Sequence, residues 1–207
     1  LAGFGYPIEV SSGVISLCGG AQLSGRRFSV PRDFSSAAFF LVGALIGSES
    51  GLTLPGVGIN PTRTGALDIL RLMGADILIT NQRNVAGEPI ADLKMSACRL
   101  KGIDVPNTLV ALAIDEFPIL AIAAACADGR TSITGVGELR VKESDRIRSI
   151  VDGLRALTID VEEYSDGMTI TGGRFSGGNV DSCGDHRIAM AFALAGRRWG
   201  LLPVFPF

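Results

Sequence analysis

Leu157-Thr158-Ile159-Asp160-Val161-Glu162-Glu163, with the turn Ser165-Asp166-Gly167 and the closing pair Gly172-Gly173, is the stretch from which the fold is read. It has the grammar of a helix end turning into a strand, a tight turn and a returning strand. Phe4-Gly5-Tyr6-Pro7-Ile8-Glu9-Val10, with Ser11-Ser12-Gly13 and Gly19-Gly20, aligns with it without a gap, so residues 4–20 and 157–173 are copies of one hairpin. Met73-Gly74-Ala75-Asp76-Ile77-Leu78-Ile79 opens a third copy. Thr158 stands where the other two copies have glycine, so its helix is expected to end with strain or a different cap.

Outward from the hairpins lies a second shared element. Val30-Pro31-Arg32-Asp33, Ala113-Ile114-Asp115 and Ser182-Cys183-Gly184-Asp185 each predict a short strand running into an aspartate at a helix N-cap. The helices that follow, Ala37-Ala38-Phe39-Phe40-Leu41-Val42 and Pro118-Ile119-Leu120-Ala121-Ile122-Ala123, are apolar nearly all round and therefore expected inside the domain. Strands ending in glycine turns come next, at 51–58 and 129–137, and then a more amphipathic helix. The unit is strand, buried helix, strand, outer helix, hairpin. It recurs at roughly 80 residues, too long for a small solenoid repeat, and predicts a compact pseudo-symmetric α/β domain. By this count residues 1–26 finish one repeat, and the copy opening near Phe175 is cut short at Phe207.

Composition excludes several function classes. The 19 basic and 21 acidic residues nearly cancel, which gives no overall field for nucleic acid or an anionic membrane. Cys18, Cys98, Cys126 and Cys183 lie far apart without metal-ligand spacing, as in a reduced, cytoplasmic protein. One histidine excludes a multi-histidine metal centre. The longest apolar runs, 37–47 and 117–127, fall short of the ~18 residues a spanning helix needs. The opening Leu1-Ala2-Gly3-Phe4 carries neither a methionine nor a signal pattern and reads as an internal start.

One charged run belongs to a single copy. After its glycine turn the second repeat has Glu138-Leu139-Arg140-Val141-Lys142-Glu143-Ser144-Asp145-Arg146, where the first has Ile59-Asn60-Pro61-Thr62-Arg63. Taken alone, such a run describes a solvated helix start, capped by Ser144 or Glu143, with exposed pairs worth ~0–1 kcal/mol each.

The order of residues says more. Lys142-Glu143-Ser144-Asp145-Arg146 resembles the Lys-Glu-(Ser/Thr)-Asp-Arg signature of the 3-phosphoshikimate 1-carboxyvinyltransferase family. Asp185-His186-Arg187-Ile188-Ala189-Met190 resembles that family's second signature, Asp33-Phe34-Ser35-Ser36-Ala37 is similar to the segment opening its domain, and the likeness runs from residue 1 to about 196. The resemblance implies an inside-out α/β barrel domain of the enolpyruvyl transferase type, built from repeated βαβαββ units and paired with a second such domain. Residues 1–26 would be the tail of the last repeat of the other domain, and 27–207 the carboxyl-terminal domain, truncated or aberrant after about 196. The implied reaction joins the enolpyruvyl group of phosphoenolpyruvate to the 5-hydroxyl of shikimate 3-phosphate and releases phosphate. It needs no metal or organic cofactor, and the implied whole enzyme is a monomer with no nucleic-acid or membrane partner.

The same resemblance implies site roles. Asp115 would contact the shikimate hydroxyls and accept a proton. Glu143 would move a proton on and off C3 of phosphoenolpyruvate, and a carboxyl acting as acid near neutrality is expected to be partly buried. Lys142 would sit between the substrates, with Arg146 and Arg187 as bidentate partners for carboxylate and phosphate. His186 would hydrogen-bond phosphoenolpyruvate or fix Arg187. Glu138 stands where some relatives carry a substrate-contacting asparagine.

The family's amino-terminal Lys-Ser-(Ile/Lys)-Ser-(Asn/His)-Arg, Asn-Ala-Gly-Thr and Ser-Ser-Gln segments have no counterpart in this chain, so half of the site is absent from its sequence. Two other functions compete. One is a folded remnant without turnover. The other is the enolpyruvyl transferase acting on UDP-N-acetylglucosamine, whose signatures lack both Lys142 to Arg146 and Asp185 to Arg187.

Overall fold

The computed structural model describes residues 1–47, 51–85 and 87–199, with side chains to 196. After a short 3-10 turn, Ala2–Phe4, the chain forms strands β1 (Glu9–Ser11) and β2 (Val14–Ser16), then helix α1 (Phe34–Ile46), β3 (Leu52–Gly58) and α2 (Gly65–Leu72). Strands β4 (Ile77–Val85) and β5 (Glu88–Met95), the single turn α3 (Asn107–Val110), α4 (Phe117–Ala125) and β6 (Arg130–Ile133) follow. Helix α5 (Arg146–Ala156), β7 (Val161–Tyr164), β8 (Gly167–Thr171) and α6 (His186–Trp199) complete it.

The three expected hairpins are present and antiparallel: β1 with β2, β4 with β5, β7 with β8. The last two grow into three-stranded sheets, in the orders β3-β5-β4 and β6-β8-β7. All nine residues of α4 are buried, as are nine of the thirteen in α1. A helix without a polar face has to be enclosed, and α4 packs against both α1 and α6, so these three helices form the centre and the sheets lie outside. Strand β7 alternates, with Val161 buried beside exposed Glu162, whereas central β8 is buried at four of its five residues. This is the inside-out arrangement.

Close approach fixes two glycines. A Cβ on Gly102 would sit 2.1 Å from the carbonyl oxygen of Arg130, and one on Gly153 would sit 2.4 Å from the Phe192 ring, where α5 lies on α6.

The short strands expected before the aspartates are not strands. Arg32 makes one parallel bridge to Val57, Asp115 lies in a 3-10 turn, Ile114–Glu116, and Cys183 and Gly184 turn with φ of 52° and 71°. The strand-like segment of the second repeat lies earlier, at 101–104, with parallel bridges from Lys101 to Asp128 and from Asp104 to Ser132. Pro31 and Pro106 interrupt these segments by removing a backbone donor. Helix α1 is capped as expected, the Asp33 carboxylate accepting from the Ser36 N–H at 2.7 Å, and α5 is capped by Asp145 rather than by Ser144 or Glu143. The expected aberration after Gly196 concerns mainly residues 200–207, outside the described residues; α6 runs on to Trp199.

Thr158 does carry the left-handed turn that glycine makes elsewhere: φ is 64° there, against 79° at Gly5 and 96° at Gly74. A β-branched residue in this region costs about 1 kcal/mol or more. The Thr158 hydroxyl bond to the Ser176 hydroxyl, at 2.9 Å, is exposed and offsets little of it. Thr158→Gly is therefore expected to raise the unfolding midpoint by about 2–4 °C, the shift that 1 kcal/mol produces in a domain of this size, as read by calorimetry; an unchanged or lower midpoint would show the turn to be unstrained.

Candidate active site

Helix packing brings three helix starts together. Ser35 in the first turn of α1 donates to Glu116 immediately before α4, at 2.5 Å, and Arg187 in the first turn of α6 donates to the Asp115 carbonyl at 3.1 Å. The amino ends of α1, α4 and α6 therefore meet around residues 115–116. Each helix start leaves backbone N–H groups without intrahelical partners and carries a partial positive charge, which favours an anion there.

The charged run of the second repeat enters the same space as a 3-10 turn, Gly137–Val141, leading into α5. Arg140 anchors it. Its guanidinium donates to the Ser165 and Tyr164 carbonyls at 2.8 and 2.6 Å, to Glu163 at 3.1 Å and to the capping Asp145 at 2.8 Å. These bonds, that to Asp145 above all, hold its pKa above the ordinary arginine value.

Arg146 is 1 % exposed, although the run taken alone describes exposed pairs. A buried guanidinium must be paired. Its Nε donates to Asp185 at 2.7 Å and its Nη2 to Glu143 at 2.5 Å, while Nη1 lies 3.7 Å from Asp115. Asp185 is equally buried and also accepts from the Arg187 backbone N–H at 2.8 Å. Burial alone would raise its pKa; the Arg146 bond and the helix-start N–H groups outweigh that and hold it below the ordinary carboxylate value.

Asp115, expected as an N-cap as well as a site residue, does not cap: α4 has no side-chain cap and the position before it is Glu116. The Asp115 carboxylate instead faces three cations: Lys142 at 3.9 Å, Arg146 at 3.7 Å and Arg187 at 3.7 Å. These separations are ionic without being close hydrogen bonds, and the carboxylate stays one-third exposed, open to a hydroxyl. Lys142 rests on Glu138 at 2.7 Å.

Asp115, Lys142, Glu143, Arg146 and Arg187 thus assemble as one cluster. His186 is exposed at the start of α6, and the Arg187 side chain is held by Asp115 rather than by His186. Glu143 is 56 % exposed, so the partial burial expected of it is not present in this chain. Arg140 and Asp185 stand out in the sequence only as parts of motifs. Glu116, Ser35 and Arg63, whose Nη2 donates to the Ser35 hydroxyl at 3.0 Å, are not legible there as site residues, although a glutamate directly before an apolar helix is a signal that could have found the first. Among the described residues no group of histidine, cysteine and acidic side chains has the geometry to hold a metal ion, and no helix is long and apolar enough to cross a membrane.

Comparison with known proteins gives a consistent result. The family model described as EPSP synthase (3-phosphoshikimate 1-carboxyvinyltransferase) matches residues 1–200. The chain is 56 % identical over 199 residues to the 3-phosphoshikimate 1-carboxyvinyltransferase of Alkalilimnicola ehrlichii, covering 96 % of this chain and 45 % of that protein. To the protein of that name from Nitrosococcus oceani it is 57 % identical over 195 residues, 94 % of this chain and 44 % of the relative. The chain thus spans about half the length of the curated relatives it matches. An EPSP synthase structure from Acinetobacter baumannii superposes with a TM-score of 0.92 at 51 % identity, over 96 % of this chain and 46 % of that one. The enolpyruvyl transferase NikO from Streptomyces tendae superposes with a TM-score of 0.67 over 99 % of this chain and 45 % of that one; at 15 % identity it is similar in fold alone.

The Arg146–Asp185 pair sets a pH dependence. A carboxylate whose folded pKa is depressed contributes stability above its unfolded pKa of about 3.9 and loses it as pH falls through the folded value. Asp185→Asn is expected to cost about 3–5 kcal/mol at pH 7, the usual penalty for breaking a buried ion pair by removing one partner, and the gap to the wild type should narrow below about pH 4. Urea unfolding at pH 7 and pH 3 checks this; a gap independent of pH would mean that Asp185 is not the partner of the buried charge.

Proposed function

The chain belongs to the 3-phosphoshikimate 1-carboxyvinyltransferase (EPSP synthase) family, and from that premise we propose that it supplies half of a site that transfers the enolpyruvyl group of phosphoenolpyruvate to the 5-hydroxyl of shikimate 3-phosphate. The observation that carries the proposal is the Asp115 carboxylate facing Lys142, Arg146 and Arg187 at 3.7–3.9 Å where three helix starts meet. Phosphoenolpyruvate brings a carboxylate and a phosphate, and two arginine forks with a lysine match that charge and shape.

In the first step the 5-hydroxyl oxygen bonds to C2 of phosphoenolpyruvate and its proton passes to Asp115, while C3 takes a proton from Glu143 and becomes a methyl carbon. In the second, Glu143 recovers a proton from that carbon, the C2–C3 double bond re-forms, and the C2–O bond to phosphate breaks. Phosphate leaves as hydrogen phosphate, taking up the proton that Asp115 had accepted, so both carboxyl groups return to their starting states. Lys142, released from Glu138, would span the two substrates and stabilise charge as it develops. Arg146 would hold Glu143 at its place, and His186, exposed at the mouth of the cluster, would hydrogen-bond the reacting phosphoenolpyruvate. No metal or organic cofactor enters these steps.

The proposal includes the division of the chain: residues 1–26 as the tail of a repeat from a neighbouring domain, and 27–207 as the enolpyruvyl transferase domain of the carboxyl-terminal side. In support, β1 and β2 are exposed along their whole length. It also includes a monomeric, cytoplasmic whole enzyme without nucleic-acid or membrane partners.

The test is a fusion of this chain behind the amino-terminal half of the Alkalilimnicola ehrlichii relative. It is expected to release phosphate only when phosphoenolpyruvate and shikimate 3-phosphate are both present, with UDP-N-acetylglucosamine inactive in place of the latter. Asp115→Asn or Glu143→Gln should lower kcat by about 10²–10⁴-fold, the usual range for a positioned acid or base. Absence of turnover in a folded fusion would favour a non-catalytic remnant, and acceptance of the sugar nucleotide would favour the rival enzyme. The 207-residue chain by itself is expected to release no phosphate above a matched blank, since the amino-terminal motifs are absent from it.

A further inference from the structure

Besides Asp185, one carboxylate is fully buried among the described residues, and the proposed reaction does not use it: Glu116, 4 % exposed. Its Oε1 accepts from the Ser35 hydroxyl at 2.5 Å, and the Ser35 oxygen accepts from Arg63 Nη2 at 3.0 Å. The charged groups around it are Asp115 beside it in the chain, Arg187 from α6 and Arg63 from the segment before α2. Asp33, at the start of α1, is occupied by Ser36.

The layout repeats the Arg146–Asp185 pair. In that pair an arginine at the start of an outer helix, α5, reaches the carboxylate at the start of the next repeat's buried helix, α6, directly and at 2.7 Å. One repeat earlier, Arg63 stands before outer helix α2, Glu116 stands before buried helix α4, and Ser35 bridges them. The two connections join the three repeats at the end where the site lies. Glu116 adjoins Asp115, whose carbonyl holds Arg187.

We propose that Glu116 is a positioning residue: through Ser35 and Arg63 it fixes the 114–116 turn against the first turn of α1, and so places the Asp115 carboxylate and the Arg187 guanidinium for an anionic substrate. The hydrogen bond, not the charge, is the active feature. Burial pushes the Glu116 carboxyl up, against the opposing effects of the Ser35 bond and Arg187. Glutamine keeps an acceptor for Ser35; alanine does not. The part concerning substrate rests on the proposed function.

The experiment uses the ¹⁵N-labelled 207-residue chain as wild type, Glu116→Gln, Glu116→Ala and Ser35→Ala. Phosphoenolpyruvate affinity is measured by titration, and hydrogen exchange is followed at the Glu116 and Arg187 amides, which donate to the Ala113 carbonyl and to Asp185 respectively. The amides of β7 and β8 are the control. Glu116→Ala and Ser35→Ala are expected to weaken phosphoenolpyruvate binding at least about fivefold and to speed exchange at Glu116 and Arg187 about tenfold, with β7 and β8 unchanged, differences of the size expected for one hydrogen bond. Glu116→Gln should stay within about twofold of wild type, since it keeps that bond. Equal behaviour of wild type and Glu116→Ala overturns the proposal, as does Glu116→Gln failing like Glu116→Ala. If the wild type does not bind phosphoenolpyruvate, the substrate assignment of the isolated half-site fails on its own, and exchange decides: local acceleration rescued by glutamine upholds positioning, and uniform or absent acceleration overturns it.

Discussion

A helix that is apolar on every side is stable in water only if other elements enclose it, and α4, buried along all nine residues, imposes that condition on the whole domain. The sheets must lie outside, with one face wet. The sides of the central helices cannot carry charge, so charge is driven to their ends. At the amino ends it meets unpaired backbone N–H groups and the positive poles of three helices. The place of the site is therefore a consequence of how the core is built.

Arg146 shows how such a site is held. Taking a guanidinium out of water costs several kcal/mol, and its partners largely offset that cost without giving a surplus. The gain is in geometry. With Nε fixed on Asp185 and Nη2 on Glu143, the guanidinium presents Nη1 toward Asp115. Asp115 in turn meets cations from two directions and closes on none of them, which leaves its oxygens available. Lys142 makes its short contact to a largely exposed partner, Glu138, and has no buried partner of the kind Arg146 has in Asp185, so it is the one free to move.

Much of this was legible in the sequence. The hairpins showed because strand-turn-strand grammar is local, and the buried helices showed because an all-apolar run has few alternatives at that length. The run from Glu138 to Arg146 stood out as specific to one copy, but by itself it read as a solvated helix start; the order Lys142-Glu143-Ser144-Asp145-Arg146, resembling a family signature, pointed to a candidate site. The short strands before the aspartates were misplaced: one parallel bridge at Arg32, and two isolated ones at Lys101 and Asp104, leave no alternating pattern to read. The caps were misassigned within the run because Ser144, Glu143 and Asp145 are all competent and only the backbone selects among them. Glu116 escaped, and Arg140 was seen only as part of a motif, because their roles depend on partners far away in sequence, Ser35 for one and the 163–165 turn for the other.

The proposed mechanism requires that the cationic cluster be held together by contacts within this chain alone. This requirement is tested most directly by the side-chain Nε–H resonance of Arg146 in the ligand-free chain, followed by ¹⁵N hydrogen exchange near neutral pH, with exposed Arg148 as internal reference. A preformed site predicts an Arg146 Nε–H protected by its bond to buried Asp185 and exchanging orders of magnitude more slowly than that of Arg148. Equal exchange at the two arginines would contradict it, because a guanidinium that opens freely to water is not held in a preformed site.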